Sequence, residues 1–267
     1  MESTSTLSPA RLTARRGDYG IDAPYVLRQV FVSGLVCLAL GLLALVLALL
    51  WWRPLAVLAI AGLLGGLVFL LVAAGYLYTT RLGKFRVWEE LLAGLSLRGD
   101  EQVLDLGCGR GALLLTAAAL LPQGKAVGVD IWSTRDQSGN EQAVTLKNAQ
   151  LEGVAERVEL HTADMRQLPF ADNTFDLVIS SLAIHNIAEG EDLKLARSGL
   201  EQALDEALRV LKPGGRLLIV DIFYTEIYIS HLGARSVSDL TYRPLDWRFW
   251  YGWPRWKARL ITASKPA

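Results

Sequence analysis

Hydrophobic positions along this chain fall into two regimes. From Val30 to Trp52 no charged residue occurs, and after Arg53-Pro54 the stretch Leu55 to Thr80 is again uncharged. Each run meets the roughly 20 apolar residues that a bilayer-crossing helix needs. Neither shows the polar face required of a helix on a soluble domain. The pattern therefore predicts two membrane spans, a helical hairpin over residues 29–80. For a cleavable signal peptide the first run is too long, and no small-residue cleavage site closes it. Beyond Gly83 the periodicity changes. Phe85 to Leu95 reads as an amphipathic helix with Phe85, Trp88, Leu91, Leu92 and Leu95 on one face. Strands are predicted at Gln102–Leu106, Ala126–Asp130, Val158–Thr162, Phe175–Ser180 and Arg216–Ile222. Between them lie helices at Gly111–Leu121, Glu141–Glu152 and Gly199–Leu211, with a shorter one after Pro169. Leu211-Lys212-Pro213-Gly214-Gly215 reads as a helix stop and turn. A helix at Thr225–Leu232 and strands near Ser236–Tyr242 and at Trp256–Ser264 complete the chain, the last two as an antiparallel hairpin on the sheet edge. Such alternation makes βαβ units, hence an α/β fold with a mostly parallel sheet and helices on both faces.

Met1 to roughly Gly20 is Ser/Thr/Arg-rich without apolar periodicity. Residues 1–28 are accordingly expected to be a flexible tail, residues 29–80 the hairpin and residues 81–267 one domain. Basic residues set the orientation. Arg11, Arg15, Arg16 and Arg28 precede the first span, Arg81, Lys84 and Arg86 follow the second, and only Arg53 lies in the turn. By the positive-inside rule both termini and the domain are cytoplasmic, with Trp51-Trp52 and Tyr76/Tyr78 at opposite interfaces. Gly62 and Gly66 form a small-xxx-small pair that suits close helix packing, although glycine is common in membrane helices anyway. No oligomeric state follows from it.

Overall charge adds an exclusion. Lys+Arg and Asp+Glu balance at 27 each, so no global field calls for nucleic acid. The two cysteines, Cys37 and Cys108, make neither a disulfide framework nor a metal cluster, so no metal is expected and a reducing compartment fits.

The candidate chemistry sits at Val103-Leu104-Asp105-Leu106-Gly107-Cys108-Gly109-Arg110-Gly111. Strand, glycine turn and helix in that order let a backbone approach a ligand closely and present free N–H groups to it. Gly107 to Ala112 satisfies both GxGxG and the dinucleotide GxGxxG/A pattern, so the glycines alone do not choose the ligand. Asp130, ending the next strand, suits two ribose hydroxyls in either case. Asp105 discriminates: it would repel a pyrophosphate and favour a cationic ligand without phosphate, such as S-adenosylmethionine.

With those residues in view the chain resembles the class I S-adenosylmethionine-dependent methyltransferases from roughly Gly83 to Lys265. Val103–Gly111 matches the family's first motif, Val127-Gly128-Val129-Asp130 the second strand and its acid, and Ala163-Asp164-Met165 the third. Leu168-Pro169-Phe170 with Asn173-Thr174-Phe175-Asp176 matches the lead-in to the fourth strand, and Leu208–Ile219 the turn before the fifth. The resemblance implies a Rossmann-like seven-stranded sheet. It implies S-adenosyl-L-methionine as cofactor and S-adenosyl-L-homocysteine as product. Asp105 would orient the methionine amino group, Gly107, Cys108 and Gly109 would pass beneath it, and Asp130 would hold the ribose. Ile131 or Trp132 would pack on the adenine, Asp164 and Met165 would cap its edge, and Ser181 would complete the site.

The acceptor side is less determined. Ser180-Ser181-Leu182-Ala183-Ile184-His185-Asn186 runs off the fourth strand without the Asn/Asp-Pro-Pro-Tyr of amide-methylating relatives, which argues against DNA adenine or protein glutamine as acceptor. His185 is the candidate base, with a structural histidine as the alternative; His161 and His231 are read as structural. Trp132 to Glu141 is a polar insertion, either a lid over the cofactor or a solvated loop. Trp247, Phe249, Trp250, Tyr251, Trp253 and Trp256 crowd one segment with Arg248, Arg255, Lys257 and Arg259. That segment is read as an acceptor wall, a membrane contact or a hydrophobic plug, in the presence of Gly252 and Pro254. The expected function is a membrane-anchored methyltransferase acting on O, N or S of a small, apolar or membrane-dissolved acceptor. Two alternatives stay open: a non-catalytic membrane sensor that binds the cofactor, and a nicotinamide-dependent oxidoreductase.

Overall fold

The computed structural model describes residues 15–134, 137, 139–252 and 257–267. Residues 1–14, with Arg11, lie outside the described residues, as do Arg135, Asp136 and Ser138 of the polar insertion and Trp253, Pro254, Arg255 and Trp256 of the aromatic segment.

The chain begins with two long apolar helices, α1 (Pro24–Leu50) and α2 (Ala56–Tyr78), joined by a short 3-10 turn at Arg53–Leu55. Both are long and apolar enough to cross a membrane, and both leave most of their surface exposed. They pack through small residues seven apart: Gly34, Gly41 and Ala48 on α1, and Ala59, Gly66 and Ala73 on α2. A Cβ at Gly41 would lie 2.7 Å from the Leu63 nitrogen, and one at Gly62 would lie 2.8 Å from the Gly41 Cα. Gly62 and Gly66 thus serve close packing within the hairpin. One π-helical turn, Thr79–Gly83, carries α2 straight into α3 (Lys84–Ala93), whose Phe85, Val87, Trp88 and Leu92 are buried.

The domain is one seven-stranded sheet in the order β3-β2-β1-β4-β5-β7-β6. The strands are β1 (Gln102–Leu106), β2 (Lys125–Asp130), β3 (Val158–Thr162), β4 (Phe175–Ser181), β5 (Leu211–Asp221), β6 (Ser238–Pro244) and β7 (Arg259–Ser264). The first five pair in parallel, and β7 runs antiparallel to both β5 and β6. Alternate residues of the central strands enter two cores. Val103, Leu177, Ile179 and Val220 meet α3, α4 (Ala112–Ala119) and α5 (Gln142–Glu152) on one face. Leu104, Leu106, Val178 and Ile219 meet α6 (Leu193–Val210) and α7 (Thr225–Gly233) on the other. A sheet buried on both faces explains why its strands read as nearly unbroken apolar runs.

Several expectations change in detail. Residues 15–23 are not a loose tail but a docked strap. Arg15 donates to Glu89 and Thr116, the Gly17 N–H and the Tyr19 hydroxyl to Glu152, and the Asp18 N–H to Asn148. Tyr19 is buried in the core beside Phe85. No helix follows Pro169, because the Arg209 guanidinium captures the Leu168 and Phe170 carbonyls and holds that segment in turns. Leu211 to Gly215 is the opening of β5 rather than a free turn. Leu211 pairs with Phe175, and the Gly214 N–H donates to the Lys265 carbonyl. Lys265 Nζ in turn caps the end of α6 at the Leu208 and Leu211 carbonyls.

Candidate functional site

Between β1 and α4 the chain turns through Gly107, Gly109 and Gly111 at φ of +72°, +49° and +87°. Those angles are costly for any side chain with a Cβ, and this is why glycine recurs at every second position. The turn is fixed from below, since the Gly107 and Cys108 N–H groups both donate to the Val129 carbonyl. Asp130 organises it from the side. Its Oδ2 accepts from the Gly109 N–H at 2.7 Å, and its Oδ1 from the Trp132 N–H at 2.6 Å and Asn140 Nδ2 at 3.2 Å.

Over this turn lies a cavity of about 370 Å³. Asp105, Gly107, Cys108, Gly109, Asp130, Ile131, Asp164, Met165 and Ser181 all line it. Nine of the ten residues assigned to cofactor binding from sequence are therefore brought together. Trp132 is not among the lining residues; its backbone is held by Asp130 and its indole donates to Thr162. His185 does not line the cavity either. It sits on a 3-10 turn, Ile184–Ala188, with Nδ1 on the fully buried carboxylate of Asp221.

Electrostatics single out Asp105. The carboxylate is 1% exposed, and neither oxygen has a hydrogen-bond partner among the described residues. Burial, reinforced by the Asp130 charge, pushes its pKa well above the usual carboxylate range. An unpartnered buried acid facing a cavity fits a cationic donor, here the ammonium of S-adenosylmethionine. A second buried acceptor without a partner, Asn140 Oδ1, faces the same cavity beside Asp130. Asp164 is held low by a bidentate Arg166, as expected for an acid at the rim. Burial raises the Cys108 thiol well above its ordinary value, so it is a small loop residue and not a nucleophile. The residues present therefore fit the cofactor.

Burial raises the Asp105 pKa and an ammonium beside it would lower it again, so cofactor binding is linked to loss of a proton wherever Asp105 still holds one. Cofactor affinity is expected to rise with pH up to the elevated Asp105 pKa. Calorimetry in two buffers of different ionisation enthalpy, repeated across the acidic to neutral range, should show proton release that fades as pH rises, and Asp105→Asn should remove it. Binding without proton release would contradict this electrostatic picture.

Sequence reasoning missed one wall of the cavity. Asp22 from the strap and Lys84, Phe85 and Trp88 from α3 line it. The Trp88 indole donates to Ser181 Oγ at 2.9 Å, and Lys84 Nζ lies 2.7 Å from both oxygens of Asp22. Asp22 Oδ2 also accepts from Thr80 and from the Tyr251 hydroxyl. Only the basic character of Lys84 was visible beforehand, and it was assigned to topology. The polar insertion is docked as well. Gln137 accepts from the Arg110 N–H, donates to the Tyr19 carbonyl and bridges to Asp22. The described part of the aromatic segment lies against the base of the hairpin. Thr79 Oγ1 donates to the Trp250 carbonyl, Tyr78 stacks on Trp247, and Phe249 and Tyr251 are buried. None of its described residues lines the cavity, although the Tyr251 hydroxyl donates to the lining residue Asp22.

Residues 104–219 match the family model described as a methyltransferase domain. A demethylmenaquinone methyltransferase of Symbiobacterium thermophilum is 33% identical over 141 residues, 52% of this chain and 50% of that protein. The ubiquinone/menaquinone biosynthesis C-methyltransferase of Pseudomonas savastanoi pv. phaseolicola is 36% identical over 159 residues, 58% of this chain and 56% of that protein. The chain thus spans about half the length of these curated relatives. In fold it is similar to a geranyl diphosphate methyltransferase solved with S-adenosylmethionine, with a TM-score of 0.53, 16% identity, and coverage of 68% of this chain and 85% of that one.

Proposed function

We infer, from a chain whose residues 104–219 match a methyltransferase domain, that it is a class I S-adenosylmethionine-dependent methyltransferase moving the cofactor's methyl group onto a small, apolar, membrane-dissolved acceptor. The acceptor class is a quinol-like ring, with both termini and the domain on the cytoplasmic side of a bilayer crossed by α1 and α2. The relatives' names add ring carbon to the oxygen, nitrogen and sulfur considered from sequence. One observation carries the reading: part of the lining of the cavity comes from the segments that enter and leave the apolar hairpin. Lys84 follows Tyr76 by eight residues of nearly continuous helix, about 12 Å at helical rise. A bilayer-dissolved acceptor therefore has a short path to the site. The nicotinamide alternative is disfavoured by Asp105, an uncompensated buried acid at the turn where a pyrophosphate would sit.

The bound cofactor supplies a methyl group already activated on a sulfonium. The chain's contribution is to place the nucleophile and keep water out. The acceptor would take up that methyl group and give up a proton to solvent or a base. Phe85 and Trp88 give the cavity an apolar wall suited to a ring. Labelled cofactor and protein in lipid nanodiscs test the reading. Ring acceptors with long isoprenoid tails are expected to be methylated at least about tenfold faster than their tail-less, water-soluble counterparts. Equal rates on soluble acceptors would refute it, and strong cofactor binding without turnover on any acceptor would favour the sensor. Deleting residues 1–80 is not a clean substitute, because it also removes Asp22 and the strap.

His185 acts in this scheme as a positioning residue. Its N–H and Nδ1 both engage Asp221, which fixes the turn whose neighbours Ala183, Asn186 and Ile187 line the cavity. The carboxylate requires the Nδ1–H tautomer. His185→Asn, whose amide can replace that donor, is expected to keep most of kcat, whereas His185→Ala loses about tenfold with cofactor affinity unchanged. A histidine acting as base would instead make both variants equally inactive and erase a limb of the pH–rate profile.

A further inference from the structure

We propose that Lys84, held by Asp22, binds the carboxylate at the amino-acid end of the cofactor, so that Lys84 and Asp105 together clamp a zwitterion. The proposal rests on the S-adenosylmethionine reading above. An α-amino acid carries an ammonium and a carboxylate on one carbon, and the cavity offers a complement to each. Asp105 presents two buried oxygens without partners among the described residues. Lys84, only 5% exposed, also faces the cavity. An ammonium has three N–H donors. Two reach the Asp22 oxygens at 2.7 Å, and the third has no acceptor among the described residues. The other cation lining the cavity, Arg166, is committed to Asp164 through both Nε and Nη2. Thr80 and Tyr251, which also donate to Asp22 Oδ2, fix the carboxylate in place and with it the position of the lysine.

This arrangement ties both ends of the hairpin to one end of the ligand. Asp22 lies on the strap that leads into α1, and Lys84 on the helix that continues α2. Cofactor affinity then depends on the hairpin being docked on the domain.

Calorimetry on the full-length protein in detergent separates the possibilities. The probes are S-adenosylhomocysteine and 5′-methylthioadenosine, which keeps the nucleoside and thioether but lacks the amino-acid group. Lys84→Gln is expected to weaken S-adenosylhomocysteine about 10- to 100-fold, as for loss of a charge-assisted hydrogen bond, and 5′-methylthioadenosine by less than about threefold. Equal losses for both probes would overturn the proposal and make Lys84 structural. Unchanged S-adenosylhomocysteine affinity with a raised acceptor KM would overturn it in favour of an acceptor oxyanion. Should Lys84→Gln not fold, Asp22→Asn decides: it keeps the lysine charge but loosens its seat, so S-adenosylhomocysteine alone should weaken, by about three- to tenfold. No selective loss there refutes the clamp. Failure of the wild-type protein to bind S-adenosylhomocysteine would strike the proposed function instead.

Discussion

Gly107→Val is expected to lower the affinity for S-adenosylmethionine or S-adenosylhomocysteine by more than about 100-fold while the protein stays folded. Gly107 sits at φ +72°, where a β-branched residue is a true outlier. A Cβ there would also strike the Ala183 side chain across the cavity and come within 3.4 Å of Met165 Cε. The loop can yield only by moving into the space the ligand needs, or by pushing away the segment that follows β4. Backbone strain of this kind costs about 1–3 kcal/mol, which a domain with ordinary stability survives. Asp130→Ala should act in the same direction by a different route. It removes the acceptor for the Gly109 and Trp132 N–H groups and for Asn140, so the loop loses its side support along with the acid proposed to hold the ribose. Isothermal titration with a parallel thermal melt measures both effects. Wild-type affinity in either variant would remove these residues from the site.

Gly83→Ala is expected to be the most damaging single methyl addition at the junction of hairpin and domain. Gly83 ends the π-helical turn, and a Cβ there would run into the Arg248 carbonyl oxygen. That carbonyl cannot retreat freely. The Arg248 side chain is bound to Glu90, and Trp250 accepts from Thr79 one turn earlier. Overpacking of this kind costs about 1–3 kcal/mol, or roughly 3–10 °C in Tm for a domain of this size. Limited proteolysis should cut faster near residues 246–252 as the aromatic segment lifts from α2 and α3. An unchanged melt and cleavage pattern would mean that the segment is not docked there.

Both substitutions act on glycines, yet they differ in how visible they were. Gly107 lies in a pattern whose meaning is local. Strand, positive-φ turn and helix are set by adjacent residues, so the motif and its acids Asp105 and Asp130 were readable from spacing alone. The strands were legible for a similar reason: a doubly covered sheet leaves contiguous apolar runs, and β1 and β3 fall where the pattern put them. Boundaries slipped where long-range bonds decide them. Leu211 to Gly215 looks like a turn because Pro213 and Gly214 usually make one, but pairing with Phe175 and Lys265 draws it into β5.

Gly83, Asp22, Lys84 and Trp88 had no such local signal. Asp22 and Lys84 are 62 positions apart and separated by the whole hairpin. A lysine after an apolar run satisfies the positive-inside pattern whether or not it also reaches a cavity, so its second role is invisible without the packing. The aromatic segment is similar: its composition suits a bilayer contact, a plug or a substrate wall equally, and only the tertiary structure sets its described part on the hairpin base. By itself, then, the sequence determined the sheet, the apolar hairpin and the acidic glycine turn, because those follow from periodicity and from backbone angles that neighbouring residues impose. Tertiary structure alone decided that the strap and α3 line the cavity and that Asp105 is left without a partner among the described residues. Both depend on which distant side chains arrive at one place, and burial there changes their chemistry.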